Sequence, residues 1–167
     1  MSPAGGAGGP DGLGGAGGPG AAGAAPGWPD DPRAAAAAAI AALHDLIARW
    51  FRGEAAAADF AGLEQALDAG LECVMPAGVV APRDALLGGL RKGHGANPDF
   101  RIEIREVRLL GAWPAAGLIL AGYVEAQFGA RNTVPADNLR RSTALLALRG
   151  GRLVFRHLHE TALPGPA

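Results

Sequence analysis

Cysteine is almost absent from this chain of 167 residues: Cys73 stands alone, so no internal disulfide can form and no Cys-x-x-Cys metal cluster can be built. Beside Val74 it reads as a small apolar residue. Lysine is as scarce, with Lys92 against fourteen arginines, and the 15 basic and 16 acidic side chains are interspersed rather than blocked. No positive stripe is left to neutralise a phosphate backbone, so nucleic acid is not an expected partner. The arginine excess accompanies abundant Ala, Gly and Pro, as a high-GC bacterial coding bias produces. It is not read as guanidinium chemistry. Long apolar runs are missing too: no stretch approaches the roughly 18 uninterrupted apolar residues of a spanning helix, and no basic segment leads into an apolar one at the start. No membrane partner is expected, and a cytoplasmic location is.

What is present is 49% hydrophobic residues with a net charge of −1, enough for one folded domain. Residues 1–27 hold twelve Gly, seven Ala and four Pro with one charge, Asp11. Such a segment has little side-chain area to offset the ordering of its backbone, so a disordered tail over 1–27 and a domain over 28–164 are expected. Gly12 to Gly18 could pass for a phosphate-binding loop, yet no strand precedes them and no amphipathic helix follows at once.

Asp30 and Asp31 offer N-cap oxygens, and Pro32 suits a first helical turn. Ile40, Leu43, Ile47, Trp50 and Phe51 then recur at three- and four-residue steps, which predicts a long helix with one apolar stripe. Asp59 can cap a second helix carrying Phe60, Leu63, Leu67 and Leu71. A short strand at Glu72 to Met75 stops at Pro76-Ala77-Gly78, and Pro82-Arg83-Asp84 opens a third helix with Leu86, Leu87 and Leu90. From Phe100 the period becomes two: Ile102, Ile104 and then Leu118 to Phe128 read as strands, with a turn at Trp113-Pro114. Asn132 to Asn138 reads as a polar loop. Arg141 to Leu148 and Arg152 to Thr161 read as a hairpin around Gly150-Gly151. Helices followed by an antiparallel meander predict an α+β fold: three N-terminal helices on a strongly curved, mostly antiparallel sheet.

The Gly-Gly turn sets an expected hairpin register in which Leu146 faces Phe155, Ala144 faces His157, Ser142 faces His159 and Arg140 faces Thr161. On the other face, Arg141 is expected to pair with Glu160. The run Arg141-Ser142-Thr143, Gly150-Gly151-Arg152-Leu153, His157-Leu158-His159-Glu160-Thr161 resembles the closing hairpin of SnoaL-like, or nuclear transport factor 2-like, domains. Calmodulin-dependent kinase association domains are among these. Pro76-Ala77-Gly78-Val79-Val80-Ala81-Pro82-Arg83-Asp84 is similar to that superfamily's link into the third helix. The resemblance covers about residues 35–163 and implies a cone-shaped sheet with a concave pocket. Leu153 replaces the usual Trp, and Ala144 and Glu160 stand where the kinase association domains carry arginines of a carboxylate-binding pocket.

With that fold, the expected pocket lining is Trp50, Phe51, Val124, Phe128, Ser142, Phe155, His157 and His159. His157 and His159 lie two apart on one strand, hence on one face, and His44 sits on the helix stripe, so three imidazoles could converge. His157 and His159 are the candidates for proton transfer. A His-x-His pair can ligate zinc, but no third ligand is signalled; no metal and no cofactor is expected. Glu125 and Tyr123 occupy a central-strand segment where a buried carboxylate would have a raised pKa and could act as a base, but opposite Val124 and with Gln127 they read as a solvated or interfacial face. His94, between glycines, reads as an exposed loop residue. Two functions follow: a pocket that binds or transforms a small hydrophobic metabolite, by isomerase, cyclase or dehydratase-type proton transfer if enzymatic, or a non-catalytic association module. A homodimer through the sheet is expected.

Overall fold

A computed structural model of the chain describes residues 23–131 and 133–164. The first helix, α1, spans Pro32–Arg52. Asp31 accepts from the Ala34 amide at 3.0 Å, Pro32 occupies the first turn, and Gly53 ends the helix in the left-handed conformation. Its buried stripe is Ala36, Ile40, Leu43, His44, Ala48 and Trp50. By length and composition alone α1 could cross a membrane. Here its stripe is the core of the fold, covered by the sheet.

The second helix, α2, covers only Phe60–Ala66, and strand β1 follows at once as Leu67–Val74. Leu67 and Leu71, expected on the helix, are therefore strand residues. A spacing of four keeps two side chains on one face in a helix and in a strand alike, so the pattern could not separate the two. Local hydrogen bonds decide it. Asp68 takes the Gly70 amide at 2.9 Å, and the Arg83 guanidinium takes the carbonyls of Glu64 and Leu67. Strand β2 (Val80–Pro82) runs into α3 (Arg83–Lys92), which Gly93 closes. The meander is β3 (Arg101–Trp113), β4 (Leu118–Phe128), β5 (Asn138–Arg149) and β6 (Arg152–Leu163). The six strands lie in the order β2-β1-β6-β5-β4-β3, and β1 pairs with β6 in parallel. The three helices pack on one face of this mixed sheet, hereafter the inner face, as the α+β expectation required.

The expected tail of residues 1–27 lies outside the described residues through residue 22. Order starts before Trp28, because the Ala25 amide donates to the Pro114 carbonyl at 2.8 Å.

The closing hairpin turns at Gly150 and Gly151, whose φ angles of 55° and 78° are those a primed turn demands. From the turn to the Leu146–Phe155 pair the register is the expected one. Beyond it, Leu145 faces His157 and Arg156 is left over as a bulge. Every later pair moves by one: Ala144 faces Leu158, Thr143 faces His159, Ser142 faces Glu160 and Arg141 faces Thr161. Because side chains alternate with period two, one extra residue exchanges the faces of the rest of β6. Glu160 turns inward, while His157 and His159 turn outward. The expected Arg141–Glu160 pair does not form; Glu160 meets Arg140 at 2.9 Å, and Arg141 lies 3.7 Å from Glu106.

Candidate functional site

The rows of side chains crossing the inner face change character along the strands. Ile119, Leu146 and Phe155 form an apolar row, followed by Ala121, Ala144, Leu158 and Cys73. Next come Tyr123, Ser142 and Glu160, then Glu125 opposite Arg140, then Gln127. The polar rows are not solvated. Tyr123, Glu125, Gln127, Ser142 and Glu160 are all buried, and α1 lowers a buried His44 onto them.

These groups make one connected network. His44 Nδ1 lies 2.7 Å from the Ile40 carbonyl, an acceptor only, so Nδ1 carries a proton and donates. Nε2 is then left to face the Glu125 carboxylate at 3.2 Å, with the Tyr123 hydroxyl at 3.5 Å. The other Glu125 oxygen accepts from the Gln127 amide at 2.5 Å, and the Gln127 oxygen accepts from Arg140 at 3.0 Å. Arg140 donates its remaining arm to Glu160 at 2.9 Å. The Ser142 hydroxyl, fully buried between Tyr123 and Glu160 in the register, has no hydrogen-bond partner among the described residues.

Proton affinities follow from this packing. Burial works against a charged His44, but the hydrogen bond and charge of Glu125, the Ile40 carbonyl and the Glu160 charge outweigh it and raise the imidazole's pKa. Burial likewise opposes ionised Glu125, and the His44 contact, with Arg140 and Gln127, reverses that and holds the carboxyl below the usual range. The pair therefore stands as imidazolium and carboxylate. Glu160 goes the other way: burial first, then the Glu125 charge, push it up to about 7 against the pull of Arg140. Burial first, then the charges of Glu125 and Glu160, also raise the Tyr123 phenol far above its ordinary value. The Cys73 thiol is pushed up to about 12, chiefly by burial, and stays a thiol.

A groove of about 390 Å³ runs between α1 and the start of β3, with His44 in its lining. Its walls combine apolar Ala41, Ala48, Ile102 and Ile104 with charged Asp45, Arg52, Arg101 and Glu103.

The residues singled out from the sequence distribute over several places. Ser142 and Phe155 lie on the inner face, and the Phe155 ring stands edge-on to His44 with centroids 6.4 Å apart. Trp50 belongs to the core and donates to the Leu90 carbonyl at 2.7 Å; Phe51 packs edge-on against Phe100 in a second cluster. Val124 and Phe128 alternate onto the outer face, where Arg101 and Arg105 lie over the Phe128 ring. His157 is half-buried and His159 exposed, on the outer face as well, so the three imidazoles do not converge. His94 is exposed, as expected, and its ring lies tilted against Trp50 with centroids 4.2 Å apart. Tyr123, Glu125 and Gln127, expected on a solvated or interfacial face, are instead the buried centre. Among the described residues, no group of three or more His, Cys, Asp or Glu side chains is placed to hold a metal.

A signal for the missed residues was in the chain. A histidine on the apolar stripe of a core helix needs a polar partner on the surface it faces, and Glu125 is the acid near the centre of the strand beneath.

No family model matches the chain, and no curated protein matches it. Solved structures do. An NTF2-like protein of unknown function from Pseudomonas aeruginosa is 30% identical, covering 78% of this chain and 99% of its own, with a TM-score of 0.69. A CaMKII hub from S. rosetta is 14% identical, covering 81% and 99%, with a TM-score of 0.62. A candidate dehydratase of the NTF2-like family from Streptomyces avermitilis is 16% identical, covering 80% and 96%, also at 0.62. The last two share the fold alone, but the Pseudomonas relative is matched over nearly its whole length. On that match, and on three helices packed against a curved six-stranded sheet, the chain belongs to the NTF2-like family.

Proposed function

We propose that the chain binds a small, largely apolar metabolite at the groove between α1 and β3 and transfers protons to and from it through His44 and Glu125. The observation that carries this reading is the buried His44–Glu125 contact beside an open groove. Burying an ionic pair costs several kcal/mol per ion before pairing returns any of it, and apolar residues of similar size commonly serve stability as well or better. A core that nevertheless carries an imidazole, two carboxylates and a guanidinium under its central helix has the layout of an acid–base site.

The proton inventory defines the chemistry. At neutral pH the pair begins as an acid: Nε2–H is given to a carbonyl or hydroxyl oxygen of the bound molecule. The imidazole left behind keeps Nδ1–H on Ile40, and its bare Nε2 takes a proton from carbon. Glu125 holds the imidazolium that results. One proton out and one proton in is the balance of an isomerisation or dehydration without a cofactor. The NTF2-like candidate dehydratase supports the same class. Incubation with a set of small ketones and enones in D2O, read by mass spectrometry, tests the proposal. Deuterium should enter at acidic C–H positions faster with the parent than with His44→Gln or Glu125→Gln; equal rates in all three would overturn it.

A second reading has its own observation. Among the described residues no helix covers the outer face of the sheet, which carries Leu118, Leu120 and Leu145, with Leu110 exposed beside Gly122. Pairing of two copies through this face would make the domain an association module, in line with the CaMKII hub's resemblance. Sedimentation at micromolar concentration checks it: a dimer that Leu145→Lys dissociates supports the interface, and a monomer in both rejects it.

A further inference from the structure

The acid–base pair does not end at Glu125. From His44 the hydrogen bonds continue through Glu125, Gln127 and Arg140 to Glu160, at 3.2, 2.5, 3.0 and 2.9 Å, from α1 across β4 and β5 to β6. We propose that Gln127 and Arg140 are positioning residues which join Glu160 to the His44–Glu125 pair, so that the protonation of Glu160 sets the proton affinity of His44. The inference rests on the reading of His44 and Glu125 as the reactive pair.

Gln127 is the joint because its amide is used in both directions. Nε2 donates to one Glu125 oxygen and leaves the other for His44, while Oε1 accepts from Arg140. An ionised isosteric acid could not donate, and an apolar side chain could do neither. Arg140 is held as firmly, with one arm on Gln127, one on Glu160, and Nε on Asn138 at 3.2 Å. Its side chain is 12% exposed and that of Glu160 is 6%, so solvent screens the chain little. A proton gained by Glu160 removes the charge opposite Arg140. Arg140 then presses its whole charge on Gln127 and Glu125, and His44 loses support for its own proton.

The charged and titratable groups facing His44 bear on this. From β4 they are Tyr123 and Glu125, from β5 Arg140, and from β6 Glu160; Cys73 of β1 lies in the adjoining row and remains a thiol. In the groove, Asp45 of α1 and Arg101 and Glu103 of β3 line the same opening as His44. Asp45 is taken by Arg49 at 2.9 Å, and Glu103 by Arg105 at 2.5 Å. Glu160 is the one among them raised to about 7, within reach of an ordinary pH titration.

The experiment is an NMR pH titration of the His44 ring nitrogens in the full chain, from pH 4 to 9, for the parent, Glu125→Gln, Gln127→Leu and Glu160→Gln. The parent is expected to show a second inflection near neutral pH on the His44 signals, from Glu160. Glu160→Gln should remove that inflection and lower the His44 midpoint. Gln127→Leu should weaken the inflection although Glu160 is still present. His44 titrating as a single group in the parent, or keeping its second inflection in Glu160→Gln, would overturn the coupling. An inflection undiminished in Gln127→Leu would remove Gln127 from it. Should Gln127→Leu not fold, the near-isosteric Glu160→Gln decides. Glu125→Gln separates the two ideas: if it leaves the His44 midpoint unmoved, the reactive pair itself is wrong, whereas a large fall there with no effect of Glu160→Gln rejects only the chain.

Discussion

The two faces of strands β4 to β6 differ in kind although the residues alternate along the same backbone. The inner face passes from Phe155 and Leu146 to Ser142, Glu125 and Glu160, with polar groups sealed under α1. The outer face carries His157, His159, Thr143 and Arg141, none of them buried, around a patch of Leu118, Leu120 and Leu145. Polarity inside and leucine outside is the reverse of what stability alone would choose. A carboxylate in water costs nothing, while one under a helix must be paired or protonated. Glu125 is paired and Glu160 sits near the midpoint between the two states. Burial, rather than residue type, separates the two faces: His44, Glu125 and Glu160 are enclosed under α1, while His157 and His159 lie on the outer strand face.

The comparison can be broken most severely at the bulge. Inserting one alanine between Arg156 and His157, with the bulge kept at Arg156, would shift the rest of β6 by one, turning His157 and His159 inward and Leu158 and Glu160 outward. Polar rings would enter the core as leucine left it, and the loss should exceed about 5 kcal/mol, most of a small domain's stability. Circular dichroism during heating should show no cooperative unfolding; a transition like the parent's would mean that β6 absorbs the extra residue and that its register does not decide the faces.

A smaller effect, still large, is expected from Glu125→Ala. Removing one partner of a buried pair strands the other, at roughly 3–5 kcal/mol, and urea titration would measure it. A loss below about 1 kcal/mol would mean that His44 sheds its proton without cost, which contradicts the charged pair.

Acidity gives a third measure. Glu160 and His44 both have folded-state pKa values above their ordinary ones, so the stability each adds is complete below the unfolded value and is lost as pH rises through the folded one. For Glu160 that window runs from 4.5 to about 7. Glu125 is displaced downward, so its contribution is present above 4.5 and fades only as pH falls through the acid range. Unfolding free energy should therefore drop by roughly 1–3 kcal/mol between pH 5 and pH 8. Glu160→Gln should flatten that slope, and an equal slope in the variant would show that Glu160 titrates normally.

The smallest effect belongs outside. His159→Ala removes an exposed ring and should change stability by no more than about 0.5 kcal/mol. A loss of 1–3 kcal/mol, the cost of leaving a buried partner unsatisfied, would mean that His159 is covered in solution, as a second copy on the outer face would cover it.

How far these features were legible in the chain can be told residue by residue. Asp31, Pro32 and the stripe to Trp50 announce α1, since capping and a three-to-four period are local rules. Gly150-Gly151 announces the hairpin, and the motifs around it point to the family. The boundary of α2 was hidden because Leu67 and Leu71 suit either element, and the Arg83 bonds that decide it span 16 and 19 residues. The site was hidden for two reasons. The Arg156 bulge has no composition signal, yet it reverses the faces of β6. Along β4 the apolar row Leu118, Leu120, Val124 and Phe128 lies on the outer face and the polar residues Tyr123, Glu125 and Gln127 on the inner one, so the usual apolar-inside pattern points Val124 inward, and only the helix above the strand decides otherwise.

On the proposed reading the inner network, rather than the outer histidines, meets a small molecule. Thermal-shift screening of a metabolite library against the parent would find a binder, and titration calorimetry would then compare the parent, His44→Gln, and the double variant His157→Ala/His159→Ala. His44→Gln should weaken binding at least tenfold, about 1.4 kcal/mol, and the double variant should bind as the parent does. Binding kept by His44→Gln and lost in the double variant would contradict that reading.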